Sequence, residues 1–230
     1  MKNYSYNPLT DEKCEIPSVL DDRVSIEKFI SHNEGKSIVV VQGLGFVGAV
    51  MSLVCANSIK EEYAVLGVDL ANEETYWKIK SINDGQFPLI ADDPKIPEFF
   101  EASKDKGNFY ATYDENAYSF ADFIIVDINL DVQKSSSVDN ALESFEVDLT
   151  AFKKAISVIG QNCKEDVTVL VETTVPPGTC VNVVQPILEE ELAKRKLPQH
   201  LINIGHSYER VMPGPEYIDS IRCYPRVYSG

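Results

Sequence analysis

A β-branched run, Ser37–Gln42, passes directly into Gly43-Leu44-Gly45-Phe46-Val47-Gly48 and then into a stretch, 46–59, that is apolar nearly all round. Glycines at this spacing are common, but between a strand and a helix they confine the chain to one kind of turn. Gly43 permits the tight bend, Gly45 lets bare backbone approach a pyrophosphate, and Gly48 lets helix and strand pack closely. The first N–H groups of the helix have no partner within it and face an incoming anion. Gly43, Gly45, Phe46, Val47 and Gly48 are therefore the expected dinucleotide contacts.

A second strand, expected over 64–69, ends on Asp69, about 20 residues beyond the glycines, where a carboxylate can bond the adenosine ribose hydroxyls. The same charge repels a 2'-phosphate. The following residues, Leu70, Ala71, Asn72, Glu73 and Glu74, include no arginine that would reverse the preference. The cofactor read from this pattern is NAD rather than NADP.

After residue 36, short apolar runs alternate with helical stretches. Strands are expected over Ser37–Gln42, 64–69, Phe109–Thr112, 123–128, 167–172 and 201–204. Continuous apolar runs of this length suit strands buried on both faces by covering helices. The expected class is α/β, a doubly wound, mostly parallel sheet (Rossmann fold) with an N-terminal arm. Among the helices, 148–159 is amphipathic with Asp148 placed to cap it, 179–196 carries Pro186 as a kink or restart, and Asn83-Asp84-Gly85 stops a helix that begins near Glu73. Residues 1–36, polar and broken by Pro8 and Pro17 around a helical pattern at 24–31, are expected as an extension. Residues 37–205 form the NAD-binding domain, and 206–230 a loop leading onward.

With 44% apolar and 25% charged residues the composition is that of a soluble globular protein, and no run is long enough to cross a bilayer. A net charge of -15 without a basic stripe argues against nucleic acid as a partner. Arg210, Arg222 and Arg226 lie among Glu209, Glu216 and Asp219, which reads equally as a local anion site or a mixed surface. The start carries no apolar core behind a basic segment, so a cytoplasmic location is expected. Five cysteines, odd in number and without paired spacing, read as reduced thiols.

Four landmarks fall in order: Gly43 to Gly48 with Val68-Asp69; Ile82-Asn83-Asp84-Gly85-Gln86-Phe87-Pro88; Thr173-Thr174-Val175-Pro176-Pro177-Gly178-Thr179; and Tyr208-Glu209-Arg210-Val211-Met212-Pro213-Gly214 followed by Pro225-Arg226-Val227. Together they resemble the UDP-glucose/GDP-mannose dehydrogenase family, over nearly all of residues 37–230. The resemblance implies a nucleotide-sugar 6-dehydrogenase, which oxidises a primary alcohol to a carboxylate by two hydride transfers to NAD. A cysteine traps the intermediate aldehyde and carries it through a thioester. It further implies that Thr174 helps hold the catalytic water, that Glu209 does acid/base work beside the sugar with Arg210 and Val211 lining the substrate site, and that Asn129 touches the cofactor.

The family's catalytic cysteine belongs to a GxCxPxD-like segment, and its lysine and asparagine to a central helix; neither segment occurs in these residues. The expectation is NAD binding with little or no turnover alone, and a homodimer only in the complete protein, because family dimers form through that helix. A stand-alone NAD-binding or regulatory module is the competing reading. Cys180 opens a helix, where a thiol gains nucleophilicity, but is read as a small residue that fits its loop. Two departures stand out: Glu73 and Glu74 occupy positions where relatives often place a basic residue, and Asp127 and Asp131 flank Asn129 where relatives carry smaller or uncharged ones.

Overall fold

The computed structural model describes residues 2–130, 132–136, 142–198 and 202–230. A small hairpin, β1 (Tyr4–Tyr6) with β2 (Lys13–Glu15), and helix α1 (Arg23–His32) precede the main sheet. Then follow β3 (Ser37–Gln42), α2 (Phe46–Ala56), β4 (Tyr63–Val68), α3 (Tyr76–Asn83), α4 (Lys95–Lys106), β5 (Phe109–Thr112) and β6 (Phe123–Val126). A second hairpin, β7 (Val132–Ser136) with β8 (Leu142–Val147), leads to α5 (Thr150–Asn162), β9 (Thr168–Val171), α6 (Gln185–Lys194), β10 (Asn203–His206) and α7 (Tyr217–Cys223).

The main sheet has the order β10-β9-β6-β3-β4-β5, and every pairing in it is parallel. Counted along the chain, these strands read 3-2-1-4-5-6 from the β5 edge, the doubly wound arrangement. The order reverses between β3 and β6, which opens a crevice at their carboxyl ends.

Alternation along β3 explains the layering. Ile38 and Val40 point into one core with Phe152, Ile156 and Ile159 of α5 and Leu188 and Leu192 of α6. Val39 and Val41 point into the other, with Val50 and Leu53 of α2, Ile79 and Ile82 of α3, Phe100 of α4 and Tyr217 and Ile218 of α7. Both faces of the strand are covered, which is why its sequence is continuously apolar rather than alternating.

Several boundaries move by a residue or two from expectation: 64–69 becomes Tyr63–Val68, 123–128 becomes Phe123–Val126, and 167–172 becomes Thr168–Val171. The strand expected at 201–204 is Asn203–His206, and Leu201 lies outside the described residues. Helix 46–59 ends at Ala56, because the Asn57 side chain turns back onto the Leu53 carbonyl at 2.9 Å and reaches Phe99 O on α4. The Pro186 discontinuity is a π-helical turn, Cys180–Val184, running into α6. A proline ring there would collide with the carbonyl four residues back, and the wider turn avoids it. The helix expected over 148–159 is Thr150–Asn162 with Leu149, not Asp148, at its N-cap; Asp148, one residue earlier, accepts the N–H of Thr150 at 2.8 Å.

The first 36 residues are seated on the domain rather than trailing from it. Ser5 Oγ donates to Glu73 O at 2.8 Å and accepts the Trp77 N–H, fixing the first hairpin to α3. Asp22 Oδ2 accepts the hydroxyls of Tyr110 and Thr112 on β5, and Ile26 and Phe29 of α1 enter the core. Residues 206–230, expected as a loop, contain α7. Its start is tied to α4 by the buried Asp93, whose two oxygens accept the N–H of Lys95 at 2.8 Å and of Ile218 at 2.7 Å.

Candidate functional site

The glycine turn is built as the sequence requires. Gly43 adopts φ 98°, and its N–H donates to Val68 O at 2.8 Å. A Cβ at Gly43 would lie 2.4 Å from Asp127 O, and one at Gly48 would lie 1.9 Å from Gly43 O. At Gly45 a Cβ would meet nothing within 4 Å. The first and third glycines are thus demanded by the protein's own packing, whereas the space above the second is open. Gly45 also caps α2 without any side-chain bond, so the leading N–H groups of that helix remain available.

An open cleft of about 510 Å³ lies over this turn. Gly45, Phe46 and Val47 form one side; Asp127, Ile128, Asn129 and Leu130 after β6 form the floor; Glu172, Thr173 and Thr174 after β9 and Glu209 and Val211 after β10 form the far wall, with Lys78 of α3 at the near edge. Thr174 and Asn129 are exposed to it. Thr173 is not: its hydroxyl donates to Ile128 O at 3.0 Å and accepts the Ile128 N–H at 2.9 Å, sewing the ends of β6 and β9 together. Arg210 does not line the cleft. Its guanidinium bonds Pro225 O and lies over the Tyr208 ring, 5.6 Å from the centroid.

Asp69 sits beside the turn. Its Oδ2 accepts the Leu44 N–H at 3.0 Å, its Oδ1 accepts the Leu70 N–H at 2.8 Å, and Lys78 Nζ lies 3.8 Å away. Burial pushes its carboxyl pKa up, opposed by Lys78 and the two amides. Lys78 is a site residue that sequence reasoning missed: the basic group sought at Glu73 and Glu74 arrives one helical turn later, on the face of α3 that carries it to the cleft.

Glu209 is firmly held. Oε1 accepts the N–H groups of Arg210 at 2.6 Å and Val211 at 2.8 Å, and Oε2 accepts Arg226 at 2.5 Å. The other arm of Arg226 bonds Glu172 Oε1 at 2.5 Å. The sequence motifs single out neither Asp127 nor Glu172 as a site residue, although Asp127 is one of the departures from the family pattern. Asp127 Oδ2 and Glu172 Oε2 are buried without a hydrogen-bond partner. Burial, with Glu172 and Glu209 nearby, pushes the Asp127 carboxyl up to about 8; burial, against Arg226, pushes Glu172 up to about 7.

All five cysteines are unpaired. Burial raises the Cys180 thiol above its ordinary value, the opposite of what an activated nucleophile needs. Among the described residues no His, Cys, Asp and Glu cluster is arranged to hold a metal ion, and no helix is long and apolar enough to cross a membrane.

Sheet order, bare glycine turn and strand-end carboxylate together define a dinucleotide-binding domain of the Rossmann class. The chain belongs to the UDP-glucose/GDP-mannose dehydrogenase family, whose NAD binding domain it matches over residues 37–227. Among curated relatives, GDP-mannose 6-dehydrogenase of Pseudomonas syringae pv. syringae is 30% identical over 158 residues, covering 66% of this chain and 32% of the relative. UDP-N-acetyl-D-mannosamine dehydrogenase of Pyrococcus horikoshii is 26% identical over 176 residues, covering 76% and 37% respectively. The chain thus spans about a third of the length of the relatives it matches. Among solved structures, an NDP-N-acetyl-D-galactosaminuronic acid dehydrogenase from Methanosarcina mazei Go1 superposes with TM-score 0.71 at 27% identity, covering 89% of this chain and 41% of that one. A ternary complex of GDP-mannose dehydrogenase from Pseudomonas aeruginosa gives TM-score 0.61 at 25% identity, covering 80% and 38%.

Proposed function

We propose that these residues are the cofactor-binding part of a nucleotide-sugar 6-dehydrogenase that oxidises the C6 alcohol of a UDP- or GDP-sugar to a uronate. The observation that carries the reading is the unobstructed space at Gly45, flanked by two glycines that packing alone would demand. Bound there, NAD would supply the hydride acceptor. Gly45, Phe46 and Val47 would offer backbone N–H groups to the pyrophosphate, and Lys78 would balance its charge. Asp69, already bracing Leu44, would take the adenosine ribose hydroxyls with its remaining lone pairs. Asn129 and Thr174 reach the cleft from neighbouring strand ends, where the nicotinamide half would lie.

Glu209 suits the acid/base work that the family likeness assigns to it. A carboxylate offers about four acceptor positions, and three are taken by Arg210, Val211 and Arg226, which leaves room for a water. Arg210, turned outward, is the weakest of the proposed substrate contacts. Residues 37–205 would form the NAD-binding domain, with 206–230 leading toward a central helix and a domain that brings the catalytic cysteine. Turnover, the choice of sugar and a homodimer would belong to that complete protein.

The test is to follow NADH formation with a panel of UDP- and GDP-sugars, alongside NAD binding. NAD binding without turnover supports the reading. Oxidation by these residues alone, at the rate of complete relatives, would show that no further cysteine is needed.

A further inference from the structure

Three carboxylates converge under the cleft, Asp127, Glu172 and Glu209, and among the described residues the cation paired with them is Arg226. Its two arms are committed to Glu172 Oε1 and Glu209 Oε2, and neither reaches Asp127. That leaves Asp127 Oδ2 and Glu172 Oε2, both shut off from solvent and neither with a donor. Glu172 is only 2% exposed, yet it is one of the residues lining the cleft. An ionised oxygen buried without a donor is strongly disfavoured. A proton removes that cost, because a neutral carboxyl group tolerates burial far better than a carboxylate does.

We propose that Asp127 carries a proton and that the anionic dinucleotide binds the protonated form, which makes Asp127 a positioning residue of the cofactor cleft. The inference rests on the NAD reading. Asp127 lies against the glycine turn: its Cβ is 3.4 Å from where a Gly48 Cβ would stand, and its backbone oxygen closes over Gly43. It therefore borders the first turn of α2, whose dipole and free N–H groups would receive the pyrophosphate. An ionised Asp127 competes with the phosphates for that positive end, and a neutral one does not.

The other titratable groups around the pair do not account for such an effect. Tyr217 of α7 is pushed above its ordinary value, and the Cys55 thiol of α2 is pushed up to about 12, so neither ionises near neutral pH. Lys78 lies across the cleft against Asp69. His206 of β10 turns its Nδ1 to Val171 O at 2.9 Å.

The test is calorimetric titration of the intact chain with NAD from about pH 6 to about pH 9, in two buffers of different ionisation enthalpy. Affinity should fall about tenfold across that range, with net proton uptake on binding at the alkaline end. Asp127→Asn should bind at every pH with the affinity of the low-pH form, without proton uptake. Glu172→Gln, which leaves Arg226 its bond to Glu209 and removes a charge that raises Asp127, should move the fall in affinity to lower pH and serves if the first variant fails to fold. An NAD affinity independent of pH, or a profile unchanged in both variants, overturns the coupling alone. No NAD binding at any pH overturns the cofactor reading, and the coupling with it.

Discussion

Asp69 Oδ2 accepts the backbone N–H of Leu44 at 3.0 Å, joining the end of β4 to the second residue of the glycine turn. The carboxylate expected to choose the cofactor thus also shapes the loop that receives it. Asp69→Ala should cost about 1–2 kcal/mol of stability, from the orphaned Leu44 amide, and lower NAD affinity further than that loss alone explains. Urea unfolding and calorimetry on the same preparation separate the two.

The three glycines of the turn should respond differently. Gly48→Ala places a Cβ 1.9 Å from a carbonyl oxygen and should destabilise the fold by roughly 3 kcal/mol or more. Gly45→Ala meets nothing within 4 Å and should leave stability within about 1 kcal/mol while weakening NAD binding. Equal losses of stability in both would contradict the cradle.

Stability should fall as pH rises. The Asp127 carboxyl is raised from 3.8 to about 8 and that of Glu172 from 4.5 to about 7, so the folded state holds protons more tightly than the unfolded chain. The stabilisation is complete below the ordinary carboxyl range and is lost as pH climbs through the raised values, from about pH 4 to about pH 8. Asp127→Asn should be more stable than the wild type by about 1–3 kcal/mol near pH 8.5, with little difference at about pH 3.5. Chemical denaturation at the two pH values reads this directly.

The first 36 residues should behave as part of the fold. Ile26 is fully buried against the sheet, and Ile26→Ala should cost about 2–4 kcal/mol in a single cooperative transition. A separate early melting step would show an independent arm.

What was legible in the sequence was what local pattern encodes. The run Ser37–Gln42 into Gly43 to Gly48 located β3, the turn and α2 because each glycine's need is set within a few residues of itself. The buried strands followed from continuous Val and Ile. What escaped depends on partners distant in sequence. The strands of the first hairpin are three residues each and become visible only through Ser5 meeting Glu73 and Trp77. Helix α7 depends on Asp93, 125 residues away from Ile218. Of the residues lining the cleft, Thr174, Asn129 and Glu209 were legible through their motifs, whereas Lys78, Asp127 and Glu172 lie outside any motif that assigns them a task. Asp127 and Glu172 meet because the sheet order sets the ends of β6 and β9 side by side, and Lys78 arrives from α3.

The most direct measurement is a map of backbone amide shifts in the labelled chain on adding NAD and, separately, NADP. The account predicts that NAD moves Gly45, Phe46, Val47 and Asn129 in a saturable way and that NADP does so at least about tenfold more weakly, because Asp69 repels a 2'-phosphate. Shifts confined to other surfaces, or equal responses to the two dinucleotides, would contradict it.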